Sequence, residues 1–153
     1  QRTPLRIFQD RPFAGWLSST TAATYFLLLT GSYVTRSGAS LACPAFPHCG
    51  ADVPAIRHLI HIQVLHRYTA FGVAFLTLAI IGWLLLNAEH PLLRRLAVQL
   101  MGLLILQFLL GITNVLLRLP MWSRVLHLTV GAAFWAKLVV LWATMRAGRK
   151  ASC

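Results

Sequence analysis

Residues 59–86 read LIHIQVLHRYTAFGVAFLTLAIIGWLLL, and this run decides the fold. It is apolar over more than the roughly 20 residues that an α-helix needs to cross a bilayer. Two chemically costly residues, His66 and Arg67, stand near its start. The local context Val64-Leu65-His66 returns as Val125-Leu126-His127 near the start of a later apolar run. Two imidazoles in matching contexts on two membrane helices are what a bis-histidine heme requires.

The remaining sequence supports a membrane setting. Of 153 residues, 58% are hydrophobic, and the three acidic residues are Asp10, Asp52 and Glu89. That composition belongs to an integral membrane protein. The net charge of +11 raises the question of nucleic acid. The basic residues, however, cluster at the ends of apolar runs, where membrane proteins place them, so no nucleic-acid partner is expected. The chain is expected to form an all-α membrane protein, a single domain over 1–153, with spans at about 14–35, 59–86, 96–117 and 122–145. The first run is too long for a signal-peptide apolar region, and no small-residue cleavage site follows it.

Lysine and arginine set the expected orientation. With the N-terminus in the cytoplasm, Arg2, Arg6, Arg11, Arg94, Arg95, Arg146, Arg149 and Lys150 lie inside, while Arg36, Arg57, Arg118 and Arg124 lie outside. This predicts an N-in, C-in, multi-pass protein of the plasma membrane. The long connection at about 36–58 is then extracytoplasmic and is rich in turn formers: Gly38, Pro44, Pro47, Gly50 and Pro54. The other links are short, so neighbouring helices run antiparallel.

A weak internal repeat is present. Leu29-Thr30-Gly31-Ser32-Tyr33-Val34-Thr35-Arg36 aligns with Leu110-Gly111-Ile112-Thr113-Asn114-Val115-Leu116-Leu117-Arg118, with one insertion. Leu65-His66 then aligns with Leu126-His127. Such parallel repeats are related by an axis along the membrane normal, which would turn His66 and His127 toward each other. His66 lies about seven residues into its span and His127 about five, so both rings sit ~8–11 Å below the outer boundary. Ionisable side chains at that depth are functional by default. Facing helices supply axial ligands and apolar walls for one heme. The bland reading of either histidine alone is an interhelical hydrogen bond.

Several other residues are candidates. Gln63 precedes His66 by one helical turn and shares its face. Its place suits a heme edge, a substrate, or an interhelical hydrogen bond. Arg67 either snorkels outward or pairs with a heme propionate. Arg36 and Arg124, at the outer boundary, suit propionates or ordinary interfacial anchoring. Cys43 and Cys49 lie in the outer loop, where a disulfide is the default. A redox-active pair, a metal site with His48 and free thiols are the alternatives. His58 and His61 lie at the helix entrance, and His61 is turned roughly 140° from His66, off the same iron. His90 and Cys153 read as bland, and Lys137, in mid-helix, has no assigned role.

These residues together resemble one family. The stretch from Gly31 through Cys43-Pro-Ala-Phe-Pro-His-Cys49 looks like the first external loop of heme A synthases, and His66-Arg67 looks like their His-Arg motif. Gln107-Phe-Leu-Leu-Gly111-Ile-Thr-Asn114-Val115, continued through Leu119-Pro120 to His127, looks like their later helix pair. The resemblance covers nearly all of residues 25–140. It implies oxidation of the C8 methyl of heme O to the formyl group of heme A, for terminal oxidases. It also implies two four-helix halves, of which this chain has the length of one. The family's catalytic Glu, three residues before the His of the His-Arg motif, corresponds here to Gln63. A Gln there resembles the C-terminal half, which holds heme b.

Two functions from different classes follow. One is a heme A synthase-type oxidoreductase, with heme O and heme A as substrate and product, acting as a homo-oligomer or beside another half. The alternative is a non-catalytic subunit of a respiratory or electron-transfer complex, holding heme b through His66 and His127. No Asp or Glu lies within any span, so no carboxylate base is present in the membrane, which favours the second. A transporter or scaffold without cofactor would leave the histidine pair unexplained.

Overall fold

The computed structural model describes residues 11–47, 49–50 and 53–151. Arg2, Arg6, Asp10, His48, Asp52 and Cys153, and what was read from them, lie outside the described residues. Four long helices make up the fold: α1 (Arg11–Arg36), α2 (Arg57–Asn87), α3 (Pro91–Leu116) and α4 (Met121–Ala151). Two short 3-10 turns, Ala39–Leu41 and Pro54–Ile56, punctuate the α1–α2 connection. The all-α membrane bundle expected from the sequence is the architecture found.

Each helix packs on its neighbours in the chain, and α4 closes the ring on α1. Hence α2 and α4 stand diagonally across the bundle. Three helices, α2 to α4, are long and apolar enough to cross a membrane. The length of α1, 26 residues, also suffices, but it carries many hydroxyls. Several are satisfied within the helix: Ser18, Thr20, Thr21 and Thr24 each donate to the carbonyl four residues back, at 2.8–3.0 Å. Trp142 of α4 donates its indole N–H to Ser18 Oγ at 2.8 Å and ties the two helices together.

The helices overrun the apolar runs that announce them. α3 begins at Pro91 because proline is preset for the first helical position and His90 caps the end, its Nδ1 accepting the Leu92 N–H at 3.2 Å. At the other end Leu119 N–H donates to Asn114 O at 2.8 Å. Arg118 and Leu119 take positive φ, 55° and 65°, which turns the chain sharply into α4.

The apolar core fills one half of the bundle. Leu17, Ile80, Leu84, Leu93, Leu100, Leu138 and Leu141 pack there with 2% exposure or less. This is the half built from the start of α1 and α3 and the end of α2 and α4. A smaller apolar cluster, Ala42, Cys43 and Ile60, seats the α1–α2 loop at the opposite end. Between the two clusters the interior changes character, and that region holds the candidate site.

Candidate heme site beneath the Cys loop

Beneath the loop the helix faces that turn inward carry histidines, amides, hydroxyls and glycines. α1 contributes Thr30 and Gly31, and α2 contributes Gln63 and His66. α3 presents Gln107, Gly111 and Asn114 at helical spacing, and α4 presents Ser123, His127 and Gly131 likewise.

Each histidine rests on a glycine of the neighbouring helix. A Cβ at Gly31 would lie 3.1 Å from His66 Cε1, and one at Gly111 would lie 3.4 Å from His127 Cε1. Gly31 and Gly111 each fall near the start of the two strings of the internal repeat. The two units therefore share a construction: a glycine on the first helix makes room for an imidazole on the second.

The polar partners differ. His66 Nδ1 lies 3.0 Å from Thr30 Oγ1, which also lies 2.8 Å from Leu27 O. A hydroxyl has one proton. With that proton on the intrahelical bond to Leu27 O, Thr30 Oγ1 accepts from His66 Nδ1–H, and Nε2 keeps a free lone pair. On the other side the Gln107 amide donates to His127 Nε2 at 3.3 Å. His127 Nδ1 is buried without a protein partner, as are Gln63 Oε1, Gln107 Oε1, Asn114 Oδ1 and Ser123 Oγ. A Cβ at Gly131 would meet Gln107 Nε2 at 3.0 Å, so Gly131 is the space that this amide occupies.

Arg67 points away from this interior. Its guanidinium donates to Ala45 O at 2.7 Å, Pro47 O at 3.2 Å and Cys43 O at 3.0 Å, and it lies 5.9 Å from the Phe46 ring centroid. It straps the loop onto α2, one residue after His66. The loop is also closed by a disulfide between Cys43 and Cys49, with Cα atoms 4.3 Å apart. An aromatic file, Phe46–Phe71–Phe108, runs from the loop across α2 to α3 with centroids 6.4 and 5.8 Å apart.

The remaining candidates lie elsewhere. Arg36 and Arg124 are exposed at the loop end of the bundle, and His58 and His61 are exposed on the outer surface of α2. His90 is a helix cap, and Lys137 donates to Gln99 Oε1 at 2.8 Å. Among the described residues no group of three His, Cys, Asp or Glu could hold a metal ion. Thr30, Gly31, Gly111, Ser123 and Gly131 were not singled out as site residues from the sequence. The repeat strings carried a weaker signal for Gly31 and Gly111, since each string holds one glycine near its start.

Residues 1–139 match the COX15-CtaA family model, described as cytochrome oxidase assembly protein. Over 89 residues, 58% of this chain, the sequence is 37% identical to a protoheme IX farnesyltransferase of Thermus thermophilus. Over 76 residues, 48% of the chain, it is 33% identical to the heme A synthase of Shouchella clausii. The matched parts are 14% and 25% of those two proteins, so the chain covers a minor share of either.

Proposed function

We propose, for a chain that belongs to the cytochrome oxidase assembly protein family, that it is a heme-holding four-helix unit of heme A synthase type, in which His66 and His127 ligate one b-type heme beneath the Cys loop. The observation that carries this reading is the pair of imidazoles on diagonal helices, each seated on a glycine where the apolar core stops. Both relatives described above are named for heme chemistry. The farnesyl transfer in one of those names is not assigned to this chain, because the match takes in only 14% of that protein.

The residues present fit such a group. His66 Nε2 has a free lone pair when Nδ1 donates to Thr30, and a hydrogen bond to the second ring nitrogen is the usual way to fix a ligating imidazole. His127 Nδ1 and Gln107 Oε1 have no protein partner, so rearranging this amide–imidazole pair sacrifices little. When bound, the iron porphyrin supplies one-electron chemistry, or, as heme O, the methyl group that is oxidised. The chain's own residues bind and orient it. The glycines seat the two imidazoles, and the Arg67-strapped loop covers the site from one end. Arg36 and Arg124 stand at that end, suited to carboxylate groups. The whole chain acts as one domain, with both termini cytoplasmic and the Cys loop extracytoplasmic. Its place is in the plasma membrane, beside a homo-oligomeric copy or a partner subunit.

Gln63 favours a second reading. It is 7% exposed, stands one turn before His66, and leaves Oε1 without a protein partner. An amide cannot act as a general base near neutral pH. On this reading the chain holds heme b, and a carboxylate for heme O oxidation comes from another polypeptide. The two readings separate in one experiment. The chain is produced in heme-replete cells with and without a heme O-forming enzyme, purified, assayed by pyridine hemochrome, and its hemes are chromatographed. Heme A made by this chain alone supports the enzyme, and b-type heme without heme A supports the holding subunit. Well-folded protein free of heme, or heme retained in both His66→Ala and His127→Ala while His58→Ala and His61→Ala lose it, overturns the ligand assignment.

A further inference from the structure

The two imidazoles are seated alike but held by opposite nitrogens. His66 is bonded through Nδ1, 3.0 Å from Thr30 Oγ1, and its Nε2 is free to ligate. His127 is bonded through Nε2, 3.3 Å from Gln107 Nε2, and its Nδ1 is buried without a protein partner. Turning the Gln107 amide over would set Oε1 against an Nε2–H and engage the same nitrogen. A Cβ at Gly111 would lie 3.4 Å from His127 Cε1 and 3.9 Å from Nδ1, so the Nδ1 edge of the ring faces α3. That leaves Nε2 as the nitrogen for a metal, and Gln107 already holds it. The amide itself has a built place, because Gly131 lacks the Cβ that would meet its Nε2 at 3.0 Å.

We propose, on the ligand assignment above, that Gln107 is a latch on His127 that competes with heme iron for Nε2, which makes His127 the exchangeable ligand and His66 the fixed one. His66 ligates through a free nitrogen and keeps its bond to Thr30, which fixes the ring. His127 gives up its bond to Gln107 in order to ligate, and no acceptor stands at Nδ1 to replace it. With the proton on Nδ1, the change is a simple exchange at Nε2: an N–H···N bond breaks, an N–Fe bond forms, and no proton or electron moves. Once His127 leaves the iron, the amide takes the imidazole back. One net hydrogen bond is equivalent to about 2–10-fold in an equilibrium constant. One axial position can therefore open while His66 keeps the porphyrin in place, as loading, release or access of a small ligand to the iron requires.

The test titrates the purified chain in detergent with hemin, then titrates the reduced complex with carbon monoxide, which replaces one axial ligand. Gln107→Leu, and Gln107→Ala as a second variant of smaller volume, should bind hemin about 2–10-fold more tightly and carbon monoxide about 2–10-fold more weakly than the wild type. The opposite signs are the signature of a latch, since a packing defect would not tighten hemin binding. His127→Ala should keep a high-spin heme that free imidazole returns to low spin, whereas His66→Ala should lose most of its heme. Affinities unchanged in both Gln107 variants, or hemin and carbon monoxide affinities that move in the same direction, overturn the latch and leave the ligand assignment intact. Heme retained by His66→Ala and lost by His127→Ala reverses the two roles and overturns it as well. A folded wild-type chain that takes up no hemin overturns the ligand assignment itself, and the latch with it.

Discussion

Substituting Gly31 and Gly111 by alanine, one at a time, tests whether the two glycines are seats for the imidazoles. At Gly31 the new Cβ would lie 3.1 Å from His66 Cε1, 3.7 Å from Nδ1 and 3.8 Å from Nε2. Carbon atoms attract best at ~3.5–4.0 Å, so the ring must retreat by several tenths of an ångström. It is held by the 3.0 Å bond to Thr30, which the retreat would distort. At Gly111 the Cβ would meet His127 Cε1 at 3.4 Å and Nδ1 at 3.9 Å, close to ordinary contact. Alanine in a helix interior is better than glycine by roughly 0.5–1 kcal/mol. Overpacking of a tight site costs about 1–3 kcal/mol. The terms therefore cancel or turn unfavourable at Gly31, whereas at Gly111 the helix gain dominates. Gly31→Ala should be the less stable of the two by about 1–3 kcal/mol. It should also lose heme occupancy, with a disturbed Soret band, while Gly111→Ala stays near wild type in both. Thermal midpoints in detergent and hemochrome stoichiometry measure these directly. Equal behaviour of the two variants, or greater damage from Gly111→Ala, would refute the seat argument.

Thr30→Val removes the acceptor of His66 Nδ1–H and keeps the volume; heme affinity should fall by about 10–100-fold, as for other hydrogen-bond partners of metal ligands, while Thr21→Val, remote from the site, leaves it unchanged. Arg67→Ala cuts the strap to Cys43, Ala45 and Pro47, so the Cys43–Cys49 bridge should be reduced several-fold faster by dithiothreitol in a thiol-trapping time course; an unchanged rate would mean that the strap does not hold the loop. Cys153 should react with a membrane-impermeant maleimide only in inside-out vesicles; labelling of intact cells would reverse the proposed orientation.

Much of this architecture was legible in the amino-acid sequence because its two strongest signals are one-dimensional. Long apolar runs give spans wherever they fall, and repeated Leu-His contexts mark two equivalent positions. Helix ends were less legible, since apolar character reports where lipid lies and not where hydrogen bonding stops. Hence α3 begins at the Pro91 and His90 cap, before its apolar run. The role of Arg67 was left open between two readings, and the geometry adds a third: its three carbonyl acceptors belong to a loop about 20 residues earlier, and no spacing rule links them. The polar partners of the histidines were hidden for a related reason. Thr30 and Gln107 occupy different registers in the two repeats, so aligning one unit on the other does not reveal them.

The uneven filling of the bundle carries an energetic argument. One half is closed by leucine and isoleucine at near-zero exposure, and such packing gives each helix pair its own stability. The half beneath the loop contains buried Gln63, Gln107, Asn114, Ser123 and His127 atoms without protein partners. Buried polar groups of this kind cost about 1–3 kcal/mol each when nothing satisfies them, so water or a ligand must complete this half. A bundle evolved only to pack would fill most of these positions with apolar side chains, as it does at its other end, where Thr77 Oγ1 is a single buried hydroxyl without a protein partner among the leucines. Glycine at 31, 111 and 131 removes volume just where these polar groups gather. Most of the buried polar atoms without protein partners gather here beside the two imidazoles, and they are a cost that an occupant recovers. That is the physical reason for reading this half as a binding site and the other half as its support.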